Sequence, residues 1–168
     1  METPDGPIVT ADEVCRDVEA CLRKHLPELA AAAELQAVKQ WQQVPTEEAL
    51  SNADVPGIAI TIPGLTDAPT RDIKGVKAVW RVAVAAYDRG EDYADTTRRT
   101  RTWAALIRAV LVRHLAADSA LVHEVAWVGE EYALAPAAAA RTLGGGAVAV
   151  DVTVREAVGL PRRSPHPC

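Results

Sequence analysis

Asp88, Glu91, Asp92 and Asp95 crowd one short run, YDRGEDYAD, just ahead of Arg98, Arg99, Arg101 and Arg108. Carboxylates this close can work as an acid–base pair or hold a hard cation. The run lacks the DxDxDG ladder of a calcium loop, however. Acids ahead of a helical stretch also do a plainer job. They stabilise the positive N-terminal end of the helix dipole, while Arg108, Arg113 and His114 suit its negative end. The arginines could contact phosphates, pair with a neighbouring subunit, or simply solvate the helix. No aromatic stands among Arg98, Arg99 and Arg101, which makes nucleic-acid contact the weakest of these uses.

The other reactive side chains form no motif. Cys15, Cys21 and Cys168 show no CxxC spacing, and a six-residue separation on a helix points Cys15 and Cys21 to different faces. They read as unpaired thiols of a reducing compartment. His25, His114, His123 and His166 stand apart in sequence, and HExxH is absent. The glycines at 144–146 are not followed by Lys-Ser or Lys-Thr, so they are no phosphate loop; they permit tight backbone geometry instead. No GxSxG nucleophile elbow occurs. No catalytic, cofactor-binding or metal-ligating residue is assigned, no cofactor is expected, and the chain reads as a non-enzyme.

Elements must position whatever these residues do. At 168 residues the chain has the length of one domain with a sizeable core. Hydrophobic residues make up 49% with no phenylalanine, and many are alanines. The core therefore leans on Leu, Val, Ile and four tryptophans, Trp41, Trp80, Trp103 and Trp127. Such a thin core makes an extra stabilising interface plausible. The net charge of −5 argues against a general nucleic-acid binder. No apolar run reaches the roughly 20 residues of a membrane span, and the first residues lack the pattern of a signal peptide.

Thr10 and Glu13 form a capping-box pattern, after which Val14, Val18, Leu22 and Leu26 recur at helical spacing. Pro27 is expected to end this helix, giving Ala11 to Leu26. An edge strand is possible near Leu35 to Trp41, and Pro45 to Glu48 resembles a short helix start. VPGIAITIPGL alternates as a strand, and Leu65 to Lys74 reads as a loop. Gly75 to Tyr87 is the clearest strand, with Val76, Ala78, Trp80, Val82, Val84 and Ala86 on one face. Asp92 to Ala116 is the longest helix, striped by Trp103, Leu106, Ile107, Val110, Leu111 and His114. Val122 to Val128 and Ala147 to Glu156 are the last strands, separated by an alanine-rich loop or helical turn at 132–141.

This order predicts an α+β two-layer sandwich, a mostly antiparallel or mixed sheet of about four strands packed by an N-terminal helix and a long central helix. Residues 1–9 are expected to be a flexible N-terminus, 10–158 a single domain, and 159–168 a proline-rich tail.

From Thr10 to Val154 the chain resembles a tail terminator (tail completion) protein of long, non-contractile-tailed bacteriophages. The resemblance rests on the N-terminal amphipathic helix, the VPGIAITIPGL strand, the strand-turn-helix VKAVWRVAVAAYDRGEDYADTTRRTRTWAALIRAVLV, and the closing HEVAWVGEEYALAP…RTLGGGAVAVDVTV. It implies a structural virion protein of the tail neck, assembled in the host cytoplasm. Its implied partners are itself, as a homohexameric ring, the tail tube protein, and head–tail connector or neck proteins. DNA would pass through the lumen without specific binding, and no membrane is involved. On this resemblance Arg98, Arg99, Arg101 and Arg108 become candidates for the subunit or tube interface, and Asp88, Glu91, Asp92 and Asp95 for junction or lumen acids. A connector-stopper or other neck protein is the alternative within the class; a small host enzyme or nucleic-acid-binding module is the alternative outside it.

Overall fold

A computed structural model describes residues 9–43, 55–72, 75–135 and 143–156. The short helix expected at Pro45, the alanine-rich end of the 132–141 segment and the proline-rich tail lie outside the described residues.

The first helix, α1 (Ala11–Ala32), opens with the predicted capping box: Thr10 Oγ1 accepts from Glu13 N–H and the Glu13 carboxylate accepts from Thr10 N–H at 2.7 Å. Pro27 does not end it. A proline inside a helix costs about 3 kcal/mol, yet the buried stripe runs from Leu26 past it through Ala30 and the following Leu35. Burial of that stripe outweighs the local penalty. The helix stops instead in a Schellman motif: Leu35 N–H donates to Ala30 O at 2.9 Å and Glu34 N–H to Ala31 O at 3.1 Å. Glu34 holds a φ of 57°, where glycine is usual.

Among the described residues six strands make one sheet: β1 (Gln40–Gln43), β2 (Gly57–Leu65), β3 (Thr70–Asp72), β4 (Gly75–Asp88), β5 (Val122–Ala135) and β6 (Leu143–Glu156). The long second helix, α2 (Tyr93–Asp118), lies between β4 and β5 in the chain. The spatial order is β1-β2-β4-β6-β5, with β3 continuing beside β4 beyond the end of β2. Only β1–β2 is parallel; every other pairing is antiparallel. The architecture is thus the expected α+β with a mostly antiparallel mixed sheet, but with more strands than four. The extra pieces are β3, set within the expected loop at 65–74, and β1, at the C-terminal end of the Leu35–Trp41 segment. Both are short edge pieces held by backbone pairing, which leaves little trace in side-chain alternation.

The central strands also run longer than their apolar patterns. β6 begins at Leu143 and takes in all three glycines, and β5 continues through Ala135 to pair with them. Gly146 lies over α2: a Cβ there would sit 2.6 Å from the Thr100 carbonyl oxygen. A strand facing that helix turn at this separation has no room for a side chain. Gly144 and Gly146 therefore serve the close approach of helix to sheet, while Gly145 faces Tyr87.

Both helices pack on the same sheet face, α1 against β2 and α2, and α2 across β4, β6 and β5. Val82, Val84, Val148, Val150, Val152 and Val154 point into that layer with Trp103, Ile107, Leu111, Leu22 and Leu26, all within one cluster. The alternation read for Gly75 to Tyr87 places its apolar residues on this covered face. Cys15 and Cys21 are both buried, because α1 is wrapped over a broad arc rather than a single stripe. Val9 is buried too, and its N–H donates to Glu156 Oε1 at 3.0 Å, tying the start of the described chain to the end of the sheet.

Candidate functional site

The acidic run folds as a junction between β4 and α2. Asp88 ends the strand with its carboxylate buried; Oδ2 accepts from Trp103 Nε1 at 2.8 Å and Oδ1 from Arg89 N–H at 2.7 Å. Asp92 is the N-cap of α2, its Oδ1 accepting from Asp95 N–H at 2.7 Å. Thr96 closes the turn: its hydroxyl accepts from Gly90 N–H at 3.0 Å and donates to Asp92 O at 2.8 Å. A Cβ at Gly90 would lie 2.5 Å from Thr96 N, so the turn needs glycine.

Asp95 is the electrostatic centre of this junction. It accepts from Arg99 Nε at 2.8 Å, from Glu91 N–H at 3.1 Å and from Arg98 Nη2 at 2.9 Å. The Arg99 hydrogen bond, then the Glu91 backbone and Arg98, hold its carboxyl down at about 2. The four candidate acids are therefore gathered in one place but put to separate uses. Asp88 holds the indole, Asp92 caps, Asp95 pairs with arginines, and Glu91 lies exposed. They do not converge as a pair sharing a proton.

The arginines divide in the same way. Arg99 is drawn in, its side chain 17% exposed and 4.0 Å from Asp88 as well as bonded to Asp95. Arg98 and Arg101 are exposed on α2. Arg108 reaches β5, where Glu130 accepts from it and from the Tyr132 hydroxyl, the latter at 2.5 Å. The Glu130 bond and burial raise the Tyr132 phenol above its usual range. Arg113 and His114 do not sit at the helix end as expected: α2 runs on to Asp118, and its last turn carries no basic residue.

Two broad surfaces surround these groups. β5 pairs only with β6, so its outer edge carries no partner strand among the described residues. Along it Trp127 is 53% and Tyr132 49% exposed, with Val128 and, on α2, Val112 also exposed. β-bulges between Val122 and Glu124 and between Trp127 and Gly129 interrupt its register, a common way of blunting an edge. The sheet face away from the helices carries small side chains: Ala83 and Ala85 on β4 opposite Ala149 and Ala147 on β6. Arg81 crosses it to Asp151, with Nε to Oδ1 at 2.5 Å and Nη2 to Oδ2 at 3.3 Å. No described helix or strand packs on that face.

This fold occurs in a virion. A chain from a solved structure described as the virion of a native gene transfer agent particle superposes with a TM-score of 0.52 at 17% identity, covering 82% of this chain and 91% of that one. At that identity the likeness is one of fold. No protein-family model matches the chain, and no curated protein does. Among the described residues no helix is long and apolar enough to cross a membrane.

Sequence reasoning found the junction and the arginines but missed the β5 edge. Trp127, expected among the core tryptophans, is 53% exposed. The period-two pattern could not reveal this: Trp127 pairs with the buried Val150, and its exposure comes from lying on the outermost strand. The histidines are not all isolated either: His25 stacks on His114 with ring centroids 4.0 Å apart.

Proposed function

We propose that this protein is a structural virion protein of the tail-terminator type. It forms a ring on the end of a completed tail tube, stops further polymerisation, and offers the surface to which the head joins. The observation that carries this reading is the fold it shares with a gene transfer agent virion chain over 82% of this chain and 91% of that one.

The surfaces around the junction support it. A long strand edge with exposed Trp127 and Tyr132 suits a neighbouring subunit, since an unpaired edge with apolar side chains is costly to leave in water. A head-to-tail contact repeated by rotation closes into a ring. Arg98, Arg101 and Arg108 line the α2 side of that region and are the proposed subunit or tube contacts; Arg99 supports them from within through Asp95. The open small-residue sheet face provides a second surface that neighbours could cover, which would complete a core poor in large side chains. An acidic subunit suits DNA passage, because a negative lumen repels phosphates.

The test is negative-stain microscopy of the purified protein mixed with headless tail tubes. The expected result is a ring of density on one tube end that blocks lengthening when tube subunits are added. Bare ends that keep growing, together with binding to filled heads made without tails, would overturn the reading in favour of a head-side connector or stopper.

A further inference from the structure

Where α1 crosses the C-terminal end of α2, four side chains with metal-binding chemistry meet. Cys21 and His25 stand one helical turn apart on α1, and His114 and Asp118 one turn apart on α2. The ligating atoms of Cys21, His25 and Asp118 all lie within 4.8 Å of one another. We propose that these three residues form a site for a divalent transition metal of the zinc class, one that staples α1 to the end of α2.

The donor set selects that class. A thiolate, an imidazole and a carboxylate together suit zinc or cobalt, whereas calcium and magnesium take oxygen ligands alone. Placing Cys21 and His25 four residues apart on one helix puts both on the same face, and Asp118 completes a triangle from the second helix. In a tetrahedral site with bonds of about 2.0–2.3 Å, ligand atoms are separated by roughly 3.3–3.8 Å. His25 Nε2 and Asp118 Oδ2 stand at 2.6 Å, so the metal takes the place of the shared proton and moves these two side chains apart by about an ångström.

The surroundings favour a cation and leave it a way in. α2 ends at Asp118 without a basic residue in its last turn, so the negative end of its dipole is uncompensated by its own side chains. Asp17 lies beside it, accepting from the Ser119 hydroxyl. Among the described residues lining the pocket the cation is Lys24, 2.9 Å from Asp118 Oδ1 and 63% exposed, free to swing into water as a metal binds. Asp17, Cys21, Lys24, Asp118 and Ser119 line a surface pocket of about 160 Å³, which gives access to Cys21 and Asp118 and room for a water as fourth ligand. His114, stacked on His25 with the rings 12° from parallel, restricts the rotation of the imidazole. On binding, the proton between His25 Nε2 and Asp118 leaves Nε2, moving to Nδ1 of a neutral ring or to solvent from an imidazolium, and the Cys21 thiol gives its proton to solvent as the sulfur forms the metal–thiolate bond.

Cobalt(II) titration of the metal-free full chain, reduced and carrying Cys168→Ser so that the terminal thiol does not compete, tests this. The expected result is saturation at one equivalent with a thiolate-to-cobalt charge-transfer band in the near ultraviolet, bleached by zinc(II), and a Tm that rises with zinc(II) concentration. Cys21→Ser should abolish the band. Asp118→Asn and His25→Gln, at less buried positions, should each weaken cobalt binding about tenfold or more, with the helical circular dichroism unchanged. If Cys21→Ser does not fold, the latter two decide. Absence of saturable binding, or binding with the same affinity in Asp118→Asn and His25→Gln, would overturn the proposal.

Discussion

Trp103 Nε1 donates a hydrogen bond of 2.8 Å to Asp88 Oδ2, and both side chains are sealed from water, at 0% and 2% exposure. The last residue of β4 thereby fastens the third turn of α2 to the sheet. An indole N–H buried without an acceptor costs about 1–3 kcal/mol. Asp88→Ala should lower unfolding free energy by at least that amount in urea, and Asp88→Asn, which keeps an acceptor oxygen, by less. Equal losses in the two variants would show that the carboxylate does not act through Trp103.

Gly146→Ala should destabilise by about 1–3 kcal/mol through overpacking, since its Cβ would meet the Thr100 carbonyl at 2.6 Å. Gly129→Ala is the control: nothing lies within 4 Å of a Cβ there, and it should stay within about 0.5 kcal/mol of the parent. Thermal melts of the two variants side by side separate close packing from a general intolerance of strand glycine replacement.

Asp95 links the junction to pH. Its folded value near 2 lies below the unfolded value of about 3.9. The folded state therefore holds this group's proton less tightly, and the stabilisation is complete above about pH 4 and lost as pH falls toward 2. The Tm gap between parent and Asp95→Asn should be constant from neutral pH to about 4, then close. A gap that persisted undiminished near pH 2 would mean that the Arg98 and Arg99 pairs contribute nothing through charge.

Glu34 occupies the C′ position of α1 at φ 57°. A non-glycine residue pays roughly 1–2 kcal/mol there, partly recovered from a less flexible unfolded chain. Glu34→Gly should raise stability by about 0.5–1 kcal/mol by chemical denaturation. A loss instead would indicate that the Glu34 side chain makes contacts worth more than the strain.

Assembly is separable from folding. Charge reversal at Arg98 and Arg101, which are exposed, should weaken ring or tube association in sedimentation assays; the melt of the isolated subunit should stay nearly unchanged in Arg101→Glu and fall in Arg98→Glu, which loses its pair with Asp95. Trp127→Ser at the β5 edge should act as Arg101→Glu does. Arg99→Glu should lower stability more than either arginine variant, because its side chain is only 17% exposed and pairs with Asp95 within the subunit. Unaltered assembly in both surface variants would remove these residues from the interface.

The α+β class, the covered face of β4, the capping box at Thr10 and the position of α2 were all legible in the residues. Each follows from local periodicity or from a cap that a single turn of chain satisfies. Other features depended on distant segments. Pro27 stays helical because Ala30 and Leu35 are buried, and burial is a property of the assembled layers. β1 and β3 exist because an existing strand offers them backbone partners. The glycines at 144–146 look like a turn until Thr100 of α2 is seen to lie against Gly144 and Gly146. Cys21, His25, His114 and Asp118 span nearly a hundred residues, and no spacing rule joins positions that only helix packing brings together. Sequence by itself determined the elements, through side-chain periods that act over a few residues. Tertiary structure decided which charges meet, which edge stays open and which donors converge, because those depend on through-space distances that the chain sets only once it is packed.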